Sequence, residues 1–355
     1  MAADAVVRSL RPLLARRRCL FTPASQCVPE FRTGAEVHQQ PEKECSVLYT
    51  CGGLYGNVSA LEAFGEVVRK DETKQKAVIF NGDFNFLNAS RDLWLRLNNN
   101  VRDFGAASGS EAAASKGNIE CELLKPRDAI IGCGCAYPPH VDPGVSERSS
   151  EIVRLLHQRA HETDDTATFN WLETLPLTTT YKVGNKKIAV VHGDPDCLNG
   201  WSLAHDADTL NDNEKLKAYF QRGNFDILAS THTCVAHMAT VDQNYVIANN
   251  GATGMANFKG SRYGLVTRIA APQASPSPVE PAYGVILQDG TRVDHIPIHF
   301  DVDAWFKAHF EPLWGPDSPA AISYANRINH GLSSWTHQDA YARVHPSLLS
   351  LPTSA

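Results

Sequence analysis

Four polar side chains that could bind a divalent metal ion follow short apolar runs or lie in a glycine-containing turn. Asp83 and Asn118 offer oxygen atoms, and His192 and His232 offer imidazole nitrogens. A mixed set of oxygen and nitrogen ligands suits a borderline ion such as Mn²⁺, Zn²⁺ or Fe²⁺. One such residue alone carries little weight, because aspartates often cap helices and single histidines are often only packed. The recurrence of the pattern predicts a metal centre.

The elements that must position these side chains are short buried strands. Apolar runs of the right length occupy residues 47–49, 77–80, 188–191 and 226–229. A further run at residues 128–131 predicts another strand. In open α/β sheets, ligands bind beyond the carboxyl ends of the strands. We therefore expect the four polar side chains to meet at one edge of the fold.

The domain boundaries follow from changes in pattern along the chain. We expect one domain at residues 46–335, with residues 271–281 as a surface insertion and residues 336–355 as a tail. The first twenty residues carry five arginines but one acid, Asp4, with apolar residues at helical spacing between them. This composition predicts a mitochondrial presequence, with its linker, over residues 1–45 and import into the matrix. A disordered basic tail is the alternative.

Composition excludes several classes of protein. The net charge is −6, which does not favour a nucleic-acid binder, and no apolar stretch is long enough to span a bilayer. The nine cysteines are odd in number and form no CxxC pair. They argue against a secreted disulfide scaffold and predict free thiols in a reducing compartment.

Five short segments, four of which contain the predicted metal ligands, follow one another along the chain, at residues 53–57, 82–83, 117–120, 192–193 and 231–234. Their order and sequences resemble the fingerprint of the calcineurin-like metallophosphoesterases, and most closely its YfcE-like phosphodiesterase branch. A turn at residues 250–254 extends the resemblance, which runs from about residue 47 to residue 254. It implies an α/β fold of two facing mixed β-sheets flanked by helices.

The resemblance also implies a ligand set for one or two divalent ions, Mn, Zn or Fe. Asp83 would bridge two ions, and Asn118, His192 and His232 would complete the site of one of them. Asp83, His192 and His232 would then serve catalysis. The unique ligands of the other ion are replaced here by Gly53, Tyr55 and Cys234.

Two interpretations of this replacement stay open. In one, the second ion is lost. In the other, thiolates rebuild its site, with Cys51 and Cys234 as ligands beside Asp83 and with Cys133 or Cys135 as a further one. Thiolates are good ligands for zinc or iron.

The activity that the resemblance implies is hydrolysis of a small phosphate ester by metal-activated water. Gly56 and Asn57 would shape the turn on the phosphate side, and Asp194 and His205 would support the ligands from behind. Ile119 replaces the family's proton-donating histidine, which favours good leaving groups or another donor. The candidate donors are His140, His205 and Tyr55.

Two other functions remain alternatives. The chain could be a catalytically silent protein that keeps one ion and binds a protein partner in an organelle. It could also be a thiolate-ligated metal protein or a redox sensor, which would depend on Cys51, Cys133, Cys135 and Cys234.

Overall fold

The computed structural model describes residues 27–33 and 43–352. Most of the predicted presequence therefore lies outside the described residues. The strands are β1 Lys43–Cys45, β2 Val47–Cys51, β3 Lys76–Asn81, β4 Glu111–Ser115, β5 Thr178–Val183, β6 Lys186–Val191, β7 Ile227–Ser230, β8 His237–Val241, β9 Tyr245–Asn249, β10 Tyr263–Ala270, β11 Tyr283–Ile286, β12 Arg292–His299 and β13 Leu349–Ser350.

The helices lie mainly between the parallel strands and in the last fifth of the chain. They are α1 Val58–Lys70, α2 Arg91–Ser108, α3 Asn118–Leu123, α4 Pro143–Glu162, α5 Thr166–Thr174, α6 Asn213–Gly223, α7 Val302–Trp305, α8 Asn326–His330 and α9 His337–Tyr341. Short π-helical segments, Phe306–Phe310 and Ala321–Ala325, adjoin α7 and α8. No helix in the described part of the chain is long and apolar enough to cross a membrane.

The strands form two mixed sheets. One has seven strands in the order β13-β11-β12-β10-β2-β3-β4, and the other has six in the order β1-β5-β6-β7-β9-β8. Strands β2, β3 and β4 run parallel in the first sheet, and β6, β7 and β9 run parallel in the second. The parallel strands set the positions of the residues that follow them.

A buried apolar layer joins the two sheets. Leu48 and Ile79 of the seven-stranded sheet share one core cluster with Ile188 and Ile227 of the six-stranded sheet. Helices α1 and α2 cover the outer face of the first sheet, and α6 covers that of the second. This helix–sheet–sheet–helix arrangement confirms the predicted α/β fold of two facing mixed sheets.

The structure differs from the sequence analysis at residues 128–131, which form no strand. Ile130 is 96% exposed and belongs to an irregular connection. The strand in this part of the chain is instead β4, whose alanine-rich sequence pairs with β3. Residues assigned to a tail also join the fold, because β13 pairs with β11 at the sheet edge. Residues 271–281 form the irregular connection between β10 and β11.

Residues 27–33 lie against the domain. A disulfide joins Cys27 to Cys197, which lies in the loop after β6, so the prediction of free thiols is wrong for this pair. The Phe31 side chain is buried, and its carbonyl accepts a hydrogen bond from the Leu198 amide at 2.8 Å. The amide of Thr33 donates to the Asp196 carbonyl at 3.2 Å. This segment therefore braces the loop that follows His192.

Candidate metal centre

The four predicted ligands converge at the edge where the parallel strands of both sheets end. Asp83 follows β3, Asn118 follows β4, His192 follows β6 and His232 follows β7. All four side chains are buried, with exposed fractions of 6% or less. Two ligands thus come from each sheet, and the expected juxtaposition is present.

The imidazole of His192 lies at the centre of this group. Its Nε2 atom is 3.3 Å from Asp83 Oδ2, 3.1 Å from Asn118 Oδ1 and 3.3 Å from His232 Nδ1. Asp83, His192 and His232 form the one group of three or more Asp, Glu, His or Cys side chains within the described residues that could hold a metal ion. Asn118 adds a fourth ligand atom next to them.

Hydrogen bonds behind the ligands turn their acceptor atoms inward. His192 Nδ1 donates to the Asn81 carbonyl at 2.8 Å, so Nε2 faces the group and offers its lone pair to a cation once it is deprotonated. Asn118 Nδ2 donates to the Cys133 carbonyl at 2.7 Å and so directs Oδ1 toward His192. The buried Nε2 atom of His232 has no hydrogen-bond partner within the described residues. Four Lewis bases that face one another fit a cation between them.

Asp83 is held in place by Glu120 and by two glycines. Glu120 is fully buried and accepts hydrogen bonds from the amides of Asp83 at 2.7 Å, Gly117 at 3.0 Å and Asn85 at 3.0 Å. The φ angle of Asp83 is +55°, a backbone conformation that non-glycine residues adopt mainly at turns and functional sites. A Cβ atom on Gly117 would lie 2.2 Å from Asp83 Oδ1, and one on Gly82 would lie 2.4 Å from the Gly117 amide nitrogen. Glycine is therefore required at both positions.

Burial and charge shape the titration of these groups. Burial alone would raise the pKa of Asp83, but the charge and hydrogen bond of His192 outweigh it and hold that pKa below its usual range. Burial and the neighbouring His192 lower the pKa of His232 to about 3, so this imidazole is neutral near pH 7. Burial and the charge of Asp83 raise the pKa of Glu120 to about 7. Neutral imidazole is the form that binds metal ions.

Tyr55 and Cys234, two of the residues that the resemblance places at a second ion's site, contact each other. The Tyr55 hydroxyl lies 2.5 Å from Cys234 Sγ, and both residues have left-handed backbones, with φ angles of +54° and +58°. Cys51 lies elsewhere in the core, where its thiol donates to Thr253 Oγ1 at 3.5 Å and burial raises its pKa to about 12. Neither Cys51 nor Cys234 belongs to the group of side chains in the described part of the chain that could hold a metal ion.

Cys133 and Cys135 lie beside the centre, on the loop that accepts the Asn118 amide. The Cys135 amide donates to Cys133 Sγ at 3.3 Å. Hydrogen bonding from Cys135 lowers the pKa of Cys133 to about 7, although burial opposes this. Both side chains line the same cavity as Asp83 and Asn118.

Gly56 and Asn57, the residues expected to shape a phosphate-binding turn, make hydrogen bonds that stabilise the fold. Asn57 caps α1 by accepting a hydrogen bond from the Ala60 amide at 2.9 Å, and it donates to the Gly254 carbonyl at 2.8 Å. The Gly56 amide donates to the Phe84 carbonyl at 2.8 Å. Neither residue lines the cavity beside the metal ligands, whereas Tyr55 from the same turn does.

The residues expected behind the ligands also have other partners. Asp194 Oδ1 accepts from the amides of Asp196 at 3.0 Å and Cys197 at 2.9 Å, and so shapes the loop after His192. The ring of His205 packs 4.5 Å from that of Trp335 and does not line the cavity. The group behind His192 is therefore the Asn81 carbonyl, which a motif search cannot reveal because it is backbone.

A cavity of about 190 Å³ opens beside the metal ligands. Aromatic rings form much of its wall: they belong to Tyr55, Phe86, Tyr137, Trp201 and Tyr324. Arg327 lines it too, and the sequence analysis missed this residue together with Tyr137 and Tyr324. A larger concavity, of about 700 Å³, lies on α4 and contains none of the ligands.

Comparison with known proteins gives structural similarity without sequence similarity. No family model and no curated protein matches the chain. A hypothetical protein from Pyrococcus horikoshii has a similar solved structure, with a TM-score of 0.50 and 15% identity over 81% of this chain and 99% of that chain. The chain has the calcineurin-like metallophosphoesterase fold.

Other solved structures of the metallophosphoesterase fold match more loosely. An archaeal phosphodiesterase gives a TM-score of 0.34 at 10% identity, over 71% of this chain and 99% of that chain. A Vps29 variant from Entamoeba histolytica gives a TM-score of 0.32 at 13% identity, over 71% of this chain and 99% of that chain.

Proposed function

We propose that this chain is a metal-dependent phosphoesterase that hydrolyses a small phosphate ester. The observation that supports this proposal is the convergence of Asp83, Asn118 and His232 on the Nε2 atom of His192. Asp83, Asn118 and His232 are neutral or anionic acceptors in a buried site beside a cavity. Burial lowers the pKa of His192, but the charge and hydrogen bond of Asp83 outweigh it and raise that pKa, so a cation would bind in exchange for the Nε2 proton. The centre holds one divalent ion in this proposal, because Tyr55 and Cys234 contact each other where the second ion's ligands would lie.

The chain's own residues then have separate tasks. Asp83, Asn118, His192 and His232 would hold the ion, which when bound would supply a water nucleophile near neutral pH and polarise a phosphoryl oxygen. Glu120 fixes the backbone around Asp83, and the Asn81 carbonyl keeps His192 in the tautomer that binds through Nε2. The aromatic walls of the cavity receive the organic part of the ester and limit access of bulk water.

The leaving group must be a good one. Ile119 lines the cavity where the family would place a proton-donating histidine, and an alkyl side chain transfers no proton. Of the three donors considered from sequence, Tyr55 lines the cavity. His140 is exposed and faces Asp206 at 3.4 Å, and His205 packs on Trp335. Esters of acidic alcohols such as phenols are therefore the expected substrates.

The test is hydrolysis of bis(p-nitrophenyl) phosphate and p-nitrophenyl phosphate with added Mn²⁺. We expect turnover by the purified chain, its loss in Asp83→Asn, and its retention in the matched control His140→Ala. Turnover that persists undiminished in Asp83→Asn would refute the proposal, since the activity would then come from another site or a contaminant.

A catalytically silent, partner-binding protein is the second candidate function. Ile119 and the contact between Tyr55 and Cys234 favour it, because together they remove a proton donor and a second ion site. This candidate predicts Mn²⁺ binding without turnover of either ester. It also predicts a specific protein recovered with the wild-type chain from organelle extracts but not with Asp83→Asn.

Mitochondrial location remains a proposal based on the basic, amphipathic first twenty residues. Import would shorten the chain, so amino-terminal sequencing of protein from isolated mitochondria is the test. An intact Met1 on that protein would contradict it. Thiol labelling of the same sample would show whether Cys27 and Cys197 are oxidised there, since disulfides persist mainly in oxidising compartments.

A further inference from the structure

We propose that Arg327 binds an oxygen of the phosphoryl group and supplies the second positive charge of the site. This inference rests on the proposed function and names a residue for it. Phosphoryl transfer is commonly stabilised by two cationic groups that clamp the reacting phosphate, and an arginine can take the place of one metal ion in this role.

Arg327 reaches the cavity from the carboxyl-terminal part of the chain. It lies on α8, 93 residues after Cys234, and its Nη2 atom donates to the Cys234 carbonyl at 2.7 Å. Its Nε atom donates to the Ala256 carbonyl at 3.0 Å. These two bonds orient the guanidinium group while leaving its side chain in the wall of the cavity that contains Asp83 and Asn118.

The charge of Arg327 has no anionic partner in the described residues. Its hydrogen-bond acceptors are two backbone carbonyls and, more distantly, the amide oxygen of Asn257 at 3.4 Å. No carboxylate of a described residue lies within ion-pair distance of it, and its Nη1 atom makes no hydrogen bond in that part of the chain. Among the described residues that line the cavity, Arg327 is the one permanent cation. A buried or half-buried guanidinium group without a carboxylate is a good site for a phosphate oxygen, because both N–H geometry and charge match.

The position of the charge agrees with this role. Arg327 contacts Cys234, and the contact between Cys234 and Tyr55 occupies the part of the cavity where the second ion's ligands would lie. Asp83 lines the same cavity. A phosphoryl group between the ion's ligands and Arg327 would therefore meet positive charge on two sides. At about 190 Å³ the cavity suits such a group better than a large ligand.

The test measures binding of inorganic phosphate to the Mn²⁺-loaded chain by calorimetry. We expect Arg327→Gln to weaken phosphate binding by about 10- to 100-fold, the usual range for one hydrogen bond to a charged group. Arg327→Lys keeps the charge but lacks the planar guanidinium group. Its phosphate affinity should therefore lie between those of wild type and Arg327→Gln. The matched control is Arg343→Gln, because Arg343 is exposed and bonds to Asn211 and the His205 carbonyl away from the cavity.

Mn²⁺ affinity and thermal unfolding of each variant separate binding from structure. We expect Mn²⁺ affinity to be unchanged in Arg327→Gln and the melting temperature to fall, because the Ala256 and Cys234 carbonyls lose their donor. Equal phosphate affinity in wild type and Arg327→Gln would overturn the inference, and so would a parallel loss of Mn²⁺ affinity, which would mean that Arg327 supports the centre only through Cys234. If the wild type hydrolyses no ester but binds phosphate in an Arg327-dependent way, the proposed function fails and this inference stands.

Discussion

Asp83 Oδ2 and His192 Nε2 lie 3.3 Å apart although β3 and β6, the strands that precede them, belong to different sheets. Their proximity depends on the packing of one sheet on the other and on the turn that reverses the chain at Asp83. Because Asn118 Oδ1 and His232 Nδ1 approach the same imidazole nitrogen, a cation between them would be bound by both halves of the fold.

The first prediction concerns the number of ions. We expect about one equivalent of Mn²⁺ or Zn²⁺ per chain. Asp83→Asn should weaken binding by more than about 100-fold, because even groups behind the ligands contribute about 10- to 100-fold to metal affinity. Elemental analysis and calorimetry measure both quantities. The double variant Cys51→Ala/Cys234→Ala is the control and should keep its single equivalent. Two equivalents in wild type that fall to one in this variant would instead support a thiolate site.

Gly117→Ala should disrupt the centre without removing any ligand. The added Cβ atom would lie 2.2 Å from Asp83 Oδ1, so the carboxylate or the loop must move. We expect a large loss of Mn²⁺ affinity, with far-ultraviolet circular dichroism close to that of wild type. Gly315→Ala is the matched control, because no atom lies within 4 Å of its added Cβ. Unchanged Mn²⁺ affinity in Gly117→Ala would show that metal binding does not depend on the close approach of Gly117 to Asp83.

The Cys27–Cys197 disulfide should contribute to stability. It links residues 170 positions apart, and removing a native disulfide typically costs about 2–5 kcal/mol in the free energy of unfolding. We expect Cys27→Ser to lower the melting temperature in thermal unfolding. Reductant should lower the melting temperature of wild type but not that of Cys27→Ser. An equal effect of reductant on both proteins would indicate that the bond does not form in solution.

A buried ion pair makes stability depend on pH. Arg268 Nη2 lies 2.9 Å from Asp71 Oδ2, and Tyr49 donates to the same oxygen at 2.7 Å. Burial opposes ionisation, but hydrogen bonds from Tyr49 and Thr73 and the charge of Arg268 hold the pKa of Asp71 below 3.8, its ordinary value. The folded state thus binds the proton less readily than the unfolded state. This contribution to stability is complete above the unfolded pKa and disappears as pH falls through the folded pKa.

Asp71→Asn tests this pair, since it removes the charge and leaves Arg268 buried. We expect a loss of about 3–5 kcal/mol in the free energy of unfolding near pH 7. The difference from wild type should shrink below pH 3.8 in denaturant titrations. Asp303→Asn, at an exposed pair with Arg262, should change stability little at either pH. A difference between Asp71→Asn and wild type that is constant with pH would contradict the assignment.

The sequence predicted the site best where a polar side chain and a glycine turn occur together at the end of an apolar run. The glycine before Asp83 can be recognised because a polar residue directly after a buried apolar run marks a strand end. Strand β4 could not be recognised, since its alanines and terminal glutamate have low β-propensity and tertiary pairing with β3 overrides it. The opposite error occurred at residues 128–131, where an apolar run carries an exposed Ile130 instead of a buried strand.

Contacts made by residues outside the resembling segments could not be predicted. Arg327 comes from a helix outside the resembling segments, and no local pattern connects it with Cys234. Its relevance follows only from the position of α8 beside the cavity. Asn57 shows the converse: its motif position suggested the phosphate turn, whereas its buried side chain is used to cap α1.

The division of the ligands between the two sheets has a consequence for how the site is assembled. Asp83 and Asn118 come from the first third of the chain, and His192 and His232 come from its second half. Neither portion alone carries enough donors for tight coordination. An ion would therefore bind late in folding, after both portions of the chain have packed together. Metal binding could then serve as a measure of complete folding.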